Sequence, residues 1–254
     1  MSDASFGRLR QLVTDQVPVV MTTIVEGEGL GTRMIVTFDD VEGSLGNPKL
    51  DAQVVQDARA TLDAEVSVTR QYGEQRVFLD VYPLPPELIL FGAVHLSQAL
   101  SRFAQALGFR VTIVDARRAL ATRERFPNVE RIIMKWPEEA FGELEIGRNT
   151  WIAILTHDSK FDEPAIMGAL KTPARYVGAI GSRKVNAERR EWLRQEGVRE
   201  EDIARLRAPI GLDLGGQAPE EMAIAILGEI LALRNQREGG FLVHGSGNIR
   251  GVPE

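Results

Sequence analysis

One stretch of the sequence combines residues that are suited to binding an anion. Residues 175–184 read Arg-Tyr-Val-Gly-Ala-Ile-Gly-Ser-Arg-Lys, which predicts a short buried strand, a tight turn and a helix capped by Ser182. Free N–H groups, the positive end of the helix dipole and two cationic side chains then meet at one point, which favours a phosphate. The candidate binding residues are Gly178, Ile180, Gly181, Ser182, Arg183 and Lys184. The alternative is an ordinary strand–helix turn leading into a solvated charged helix.

A glycine and a carboxylate follow two earlier predicted strands. Gly92 comes after the strand at 88–91, and Asp115 comes after the strand at 111–114, 23 residues later. This spacing is close to that of a Rossmann dinucleotide site, in which the carboxylate binds a ribose hydroxyl. However, Val94 and Ser97 occupy the places of the second and third glycines, and the valine side chain would push a pyrophosphate away from the backbone. We therefore do not expect NAD or NADP to bind in the usual way.

Two further loops follow predicted strands and carry polar or flexible residues. Residues 156–162 read Thr-His-Asp-Ser-Lys-Phe-Asp, where His157 and Asp158 are suited to proton transfer or ligand recognition. The structural alternative is a helix cap at Asp158 and a hydrogen-bonded histidine. A metal site built from His157, Asp158 and Asp162 lacks a distinctive spacing, so we predict none. The glycines of residues 208–216, including Gly211, permit close approach of the backbone to a ligand.

The predicted elements indicate an α/β protein in two parts. Residues 1–82 contain short β-branched strands and a helix, which predicts a smaller N-terminal α+β domain. Residues 83–87 begin Pro-Leu-Pro-Pro and are typical of a linker. Strands and helices alternate over residues 88–235, which predicts a doubly wound, mostly parallel, Rossmann-like sheet. Residues 236–254 are predicted to form a tail.

Composition narrows the class of protein. The chain has 254 residues, of which 44% are apolar and 26% charged, and its net charge is −6. This acidic balance argues against nucleic-acid binding in general. The absence of cysteine excludes disulfides, thiolate metal sites and cysteine nucleophiles. Because we find neither an apolar run of membrane-spanning length nor a signal peptide, we expect a cytoplasmic protein without a membrane span.

Three motifs taken together resemble the XdhC/CoxI family of accessory proteins for molybdenum hydroxylases. The motifs are residues 155–162, residues 176–184 and residues 207–215, the last followed by Pro219-Glu220-Glu221. Gly92, His95 and Asp115 fit the family's Rossmann start, and Gly211 and Asp213 belong to its third motif. The resemblance implies a protein that binds molybdenum cofactor (molybdopterin) and hands it to an apo-hydroxylase. A homodimer is compatible with this interpretation.

The N-terminal part departs from that family at one position. Aligned on residues 43–45, the chain places Lys49 where the resemblance implies a cysteine. A lysine cannot act as a soft ligand to molybdenum. Three functions therefore remain: an accessory protein that binds the cofactor or a related anionic, phosphate-bearing ligand, an enzyme that uses His157 and Asp158 on a phosphate-bearing small molecule, and a scaffold that contacts the apo-hydroxylase without binding cofactor.

Overall fold

The computed structural model describes residues 2–244, with side chains from residue 4 onward. Of the predicted tail 236–254, residues 245–254 lie outside the described residues. The remaining part of that tail is exposed and contains one turn of 3-10 helix, Leu242–His244. The chain folds into two compact units, the first ending at Leu84 and the second beginning at Pro85.

The first unit is an antiparallel sheet with a helix on each face. Its elements are α1 (Ser2–Thr14), β1 (Val19–Glu26), β2 (Arg33–Val36), β3 (Val41–Gly43), α2 (Pro48–Ala64), β4 (Val68–Tyr72) and β5 (Gln75–Tyr82). The strand order is β3-β2-β1-β5-β4. Side chains of β1 alternate between the two faces, so that Val20 and Ile24 pack with α2 while Val19 and Met21 pack with α1. The α+β character predicted for this part of the chain is confirmed.

The second unit contains a six-stranded parallel sheet. Its elements are β6 (Glu87–Phe91), α3 (His95–Ala106), β7 (Arg110–Val114), β8 (Arg131–Ile133), α4 (Pro137–Ala140), β9 (Thr150–Ile154), α5 (Ser159–Leu170), β10 (Tyr176–Ala179), α6 (Arg183–Gln195), α7 (Glu200–Ala204), β11 (Leu206–Arg207) and α8 (Pro219–Arg234). The strand order is β11-β10-β9-β6-β7-β8. Both faces are covered by helices, which confirms the predicted doubly wound fold.

Two hydrophobic cores form on opposite faces of this sheet. Helices α3 and α8 cover one face, where Leu100 and Ile226 pack with Leu88 and Leu90 of β6. Helices α4, α5 and α6 cover the other face, against Ile89 and the remaining inward side chains of the strands. Because the central strands are buried on both sides, their sequences are continuous apolar runs rather than alternating ones.

The strand order reverses between β6 and β9, which makes this boundary the switch point of the sheet. Ligands of doubly wound proteins bind outside the carboxyl ends of the strands near such a point. The turns after β6, β7, β8, β9, β10 and β11 all lie along that edge, which we call the carboxyl edge. No helix within the described residues has the length and apolar character needed to cross a membrane.

Candidate ligand site at the carboxyl edge

Gly92 allows the turn after β6 to touch the turn after β9. Its φ is +110°, and a Cβ built on it would collide with the methyl group of Thr156. The Gly92 N–H donates to the Val114 carbonyl at 2.8 Å, and its own carbonyl accepts from Ser97 Oγ at 2.5 Å. The glycine is therefore explained by packing between two turns of the protein.

The N-terminus of α3 differs from a dinucleotide-binding turn in the way the sequence indicates. Val94 is the N-cap and provides no side-chain hydrogen bond to the helix. Its side chain is half-buried against the core under α3 and α8, whereas His95 is exposed. Arg125 donates to the Ala93 carbonyl at 2.8 Å, so protein groups already occupy this turn.

Asp115, a candidate binding residue, has both carboxylate oxygens engaged by donors of the protein itself. Its carboxylate is buried and accepts from the Ala93 N–H at 2.7 Å and from the Arg117 N–H at 2.9 Å. The Arg117 guanidinium adds two hydrogen bonds, Nε to Oδ1 at 2.9 Å and Nη2 to Oδ2 at 2.7 Å. Burial alone would raise the pKa of Asp115, but these hydrogen bonds outweigh burial and keep the pKa below its ordinary value. Arg117 is therefore held in place by Asp115 while its side chain remains exposed at this strand end.

The turn after β9 contains two exposed candidates and one buried acid. Asp158 caps α5 by accepting from the Lys160 N–H at 3.1 Å, and both His157 and Asp158 are exposed. Within residues 4–244 the His157 imidazole makes no hydrogen bond to a carboxylate, and no cluster of three metal-ligating side chains forms. Asp162 instead turns inward. The structure thus supports the capping role of Asp158 and, among the described residues, leaves the His157 imidazole without a hydrogen-bonded carboxylate.

Asp162 joins a buried network that ties two turns of the carboxyl edge together. Thr156 Oγ1 donates to its Oδ1 at 2.5 Å, and Arg189 Nη2 lies 3.3 Å from its Oδ2. Burial is the largest influence and raises the pKa of Asp162 to about 6, although Thr156 and Arg189 act in the opposite direction. Arg189 Nη1 also donates to the Ile180 carbonyl at 3.0 Å and to Asn186 Oδ1 at 2.6 Å. The turn after β9 and the turn after β10 are thereby held by the same guanidinium.

The turn after β10 forms the predicted helix N-terminus. Gly181 has a φ of +135°, and Ser182 caps α6 by accepting from the Val185 N–H at 3.2 Å. Within the described residues, the first-turn N–H groups of Arg183 and Lys184 have no acceptor. The side chains of these two residues are 89% and 86% exposed. This end of α6 therefore offers free N–H groups, the positive end of a dipole and two exposed cations to a ligand.

Gly178 has a packing role and does not face that ligand position. A Cβ on it would lie 2.6 Å from both Ile210 Cδ1 and Tyr176 Oη. The residue is buried inside β10, two positions before the exposed turn begins. We therefore remove Gly178 from the candidate binding residues.

The loop after β11 is anchored at Gly211 and reaches the N-terminus of α6 at Asp213. The Gly211 N–H donates to Glu229 Oε2 at 2.9 Å, and Tyr176 Oη donates to the same oxygen at 2.6 Å. Burial, followed by the charge of Glu229, raises the pKa of Tyr176 well above its ordinary value. Asp213 Oδ2 lies 3.6 Å from Arg183 Nη2, in an exposed ion pair. The structure thus brings the second and third predicted motifs together.

Arg117, Arg189, Asn186 and Glu229 shape the edge, and none of them was among the residues predicted from the sequence. A signal for two of these residues was present. Asn186, Arg189 and Leu193 lie on one face of α6, and a polar pair on a face that also buries a leucine indicates an internal hydrogen-bond network. In the first unit, Lys49 is exposed at the second position of α2, and its N–H donates to the N-cap Asn47 at 2.9 Å.

Comparison with known proteins agrees with this architecture. A family model described as the XdhC Rossmann domain matches residues 88–230, and a model described as the XdhC and CoxI family matches residues 12–73. A crystal structure of a xanthine dehydrogenase from Bacillus halodurans shares the fold, with a TM-score of 0.55 and 20% identity over 94% of this chain and 97% of that chain.

Three relatives have related sequences. Uncharacterized protein YqeB of Escherichia coli (strain K12) is 30% identical over 97% of this chain. A probable xanthine dehydrogenase subunit of Bacillus subtilis (strain 168) is 29% identical, and Molybdenum cofactor insertion chaperone PaoD of Escherichia coli (strain K12) is 24% identical, each over 59% of this chain. The chain spans 50%, 44% and 41% of the lengths of these relatives, respectively. On the strength of the family-model matches, this chain belongs to the XdhC and CoxI family.

Proposed function

We propose that this chain is an accessory protein that binds molybdenum cofactor and hands it to the apo-form of a molybdenum hydroxylase. The observation that carries the proposal is the exposed N-terminus of α6 at the carboxyl edge, with its free N–H groups and the cations Arg183 and Lys184. Two relatives support it, because one is named as a xanthine dehydrogenase subunit and another as a molybdenum cofactor insertion chaperone.

The residues of this edge fit the phosphate of the cofactor. Molybdopterin carries a phosphate, and its dinucleotide forms carry a diphosphate. The turn at Gly181 and the free N–H groups of Arg183 and Lys184 suit such an anion, since they provide hydrogen-bond donors without any buried charge that needs neutralising. Arg183 is already paired loosely with Asp213, so a phosphate would replace a solvent-screened carboxylate at 3.6 Å.

The residues do not fit the metal of the cofactor. The chain contains no cysteine, and Lys49 occupies the place where the family resemblance implies one. An ammonium group provides hydrogen bonds and charge but no soft ligand to molybdenum. We therefore assign binding and orientation of the phosphate-bearing part to this chain, while the metal chemistry that the cofactor supplies belongs to the client hydroxylase.

The test is calorimetric titration of inorganic pyrophosphate and of molybdopterin into the full chain and into the double variant Arg183→Ala/Lys184→Ala. A charge-assisted hydrogen bond contributes about 1.5–3 kcal/mol before screening by solvent. We expect the affinity of the double variant for both ligands to fall at least about tenfold, and we expect binding to the unchanged chain to weaken with salt.

A second double variant, Arg194→Ala/Arg199→Ala, removes the same charge near the far end of α6 and is the matched control. It should bind pyrophosphate as the unchanged chain does. If both double variants lose the same affinity, the effect comes from overall charge and the proposed site is wrong. If neither variant loses affinity, Arg183 and Lys184 only solvate the helix.

A further inference from the structure

An exposed tryptophan lies at the carboxyl edge, outside the anion site. Trp136 follows the end of β8 by three residues and is 45% exposed, and Met134, two residues before it, is 49% exposed. Ligand sites are lined mainly by hydrophobic and aromatic side chains, and ligands of doubly wound proteins bind at this edge of the sheet. Trp136 is therefore a candidate for contact with a ligand.

The chain after β8 runs beside the chain after β7. The Asp115 N–H donates to the carbonyl of Ile133, the last residue of β8, at 3.1 Å, so that the pairing extends one residue beyond the end of β7. Arg117 follows the end of β7 by three residues, and Trp136 follows the end of its paired neighbour β8 by the same number. The exposed Arg117 and the exposed Trp136 consequently belong to one surface of the edge.

Trp136 packs against a second aromatic ring, that of Phe161. Its centroid lies 5.9 Å from that of Phe161, with an angle of 48° between the ring planes. Phe161 is itself buried in the first turn of α5, where its N–H donates to the Asp158 carbonyl at 3.0 Å. The indole is thus held by the protein on one side while nearly half of its surface stays open to a ligand.

Arg117 supplies a cation, oriented by Asp115, at the end of the neighbouring strand β7. Two of its guanidinium donors bond Asp115, and the side chain is still 52% exposed. An arginine has five N–H donors, so the others remain able to reach an anion or a ring carbonyl. The pKa of Arg117 lies above its ordinary value, first because of the hydrogen bond to Asp115 and further because of the charge of Asp158.

We propose that Trp136 and Arg117 form a second subsite, which stacks a planar heteroaromatic ring of a phosphate-bearing ligand, either a nucleobase or a pterin. Stacking of bases on aromatic side chains is strong and tolerant of ring type, because every such ring has a π face. Arg117 would pair with a carbonyl or phosphate oxygen next to the stacked ring. The inference rests on the proposed function only for the claim that one ligand occupies both subsites.

The separation of the two subsites indicates the length of that ligand. Strands β6 and β9 lie between β7 and β10, so three strand spacings separate the turns that carry Arg117 and Arg183. At about 4.8 Å for each spacing, the turn of Arg117 lies about 14 Å from that of Arg183, and the turn of Trp136, one strand further along at β8, lies about 19 Å from it. A mononucleotide reaches only one of the two subsites, whereas a compound of dinucleotide length reaches both.

The experiment measures binding of GMP, CMP and neopterin to the full chain by calorimetry and by quenching of tryptophan fluorescence. The variants are Trp136→Ala, which removes the ring, and Trp136→Phe, which keeps a smaller one. Trp192→Phe is the matched control, since Trp192 lines a separate groove between α5 and α6. Thermal melting shows whether each variant is folded.

We expect Trp136→Ala to weaken binding of at least one ring probe about tenfold, and Trp136→Phe to retain most of the affinity. Quenching should disappear in Trp136→Phe and persist in Trp192→Phe. If Trp136→Ala weakens binding of GMP or CMP but not of neopterin, the subsite binds a nucleobase. If it weakens binding of neopterin but not of the nucleotides, the subsite binds a pterin. If no probe binds more weakly to folded Trp136→Ala, or if no probe binds the unchanged chain, the subsite is refuted.

This result is independent of the test of the anion site. If Arg183→Ala/Lys184→Ala loses pyrophosphate while Trp136→Ala keeps every ring probe, only the inference about Trp136 fails. If Trp136→Ala loses a ring probe while the arginine–lysine variant keeps pyrophosphate, the proposed function fails at its anion site and the ring subsite stands.

Discussion

Replacing Asp162 by asparagine tests the electrostatics of the buried network directly. The substitution keeps the shape of the side chain and removes its charge. In the unchanged chain, Thr156 donates to this carboxylate at 2.5 Å and Arg189 lies 3.3 Å from it, yet burial raises its pKa from 3.8 to about 6. Loss of hydration therefore outweighs the ion pair with Arg189.

The size and the sign of the contribution that Asp162 makes to the unfolding free energy follow from this pKa. Each pKa unit corresponds to about 1.4 kcal/mol, so a rise from 3.8 to about 6 corresponds to about 3 kcal/mol. Because the pKa of Asp162 is higher in the folded chain than in the unfolded one, its contribution to stability is complete below a pH of about 3.8. That contribution is lost as the pH rises through about 6.

The assay is urea unfolding at a series of pH values from about 4 to about 7. Tryptophan fluorescence monitors the unfolding at each pH. The three tryptophans, Trp136, Trp151 and Trp192, all lie in the second unit, so the signal reports the unit that contains Asp162. All other titrating groups are common to the unchanged chain and Asp162→Asn. The difference between the two curves therefore isolates this carboxylate.

We expect the unchanged chain to lose about 3 kcal/mol of unfolding free energy relative to Asp162→Asn as the pH rises from about 4 to about 7. A difference that changes in the opposite direction would show that the ion pair with Arg189 dominates and that the pKa of Asp162 is lowered. Parallel curves would place its titration outside this range. Either result refutes the reasoning from burial.

Two further predictions concern the turn after β6. NAD and NADP should bind weakly or not at all by calorimetry, because Val94 occupies the place of a glycine, and micromolar affinity that is insensitive to Val94→Gly would contradict this. Gly92→Ala should lower the unfolding free energy by about 2 kcal/mol or more in urea, because its φ of +110° and the adjacent Thr156 methyl both oppose a Cβ. Gly147→Ala is the control, because a Cβ at Gly147 meets nothing within 4 Å and should leave the unfolding free energy nearly unchanged. If both variants lose the same unfolding free energy, neither the φ of Gly92 nor its approach to Thr156 explains the loss.

Features set by local chemistry could be predicted from the sequence. The apolar runs of β6, β9 and β10 indicate strands buried on both faces, and Ser182 and Pro219 mark the starts of α6 and α8 where the structure has them. The alternation of strands and helices then fixes the carboxyl edge. The sequence therefore predicts the order of the elements, and this order is enough to place the candidate site at the carboxyl edge.

Features set by contacts between distant residues could not be predicted in the same way. Arg189 and Asp162 are 27 positions apart, and either one alone is typical of a surface charge. Gly178 is interpreted as part of a ligand turn until Ile210 is seen to pack against it. Strand β11 has only two residues, which is too short for any periodic pattern, and it is recognised through its pairing with Val177 and Gly178.

Glu229, an acceptor shared by two donors, links the loop after β11 to helix α8, which covers one face of the sheet. One carboxylate oxygen on α8 holds both the Tyr176 hydroxyl and the Gly211 N–H, and a Cβ on Gly211 would lie 3.2 Å from the backbone of α8. The loop that carries Asp213 therefore travels with this helix and cannot shift separately without breaking that hydrogen bond. A small displacement of α8 would therefore move Asp213 relative to Arg183, so the exposed pair at the N-terminus of α6 is coupled to the position of a helix on one face of the sheet.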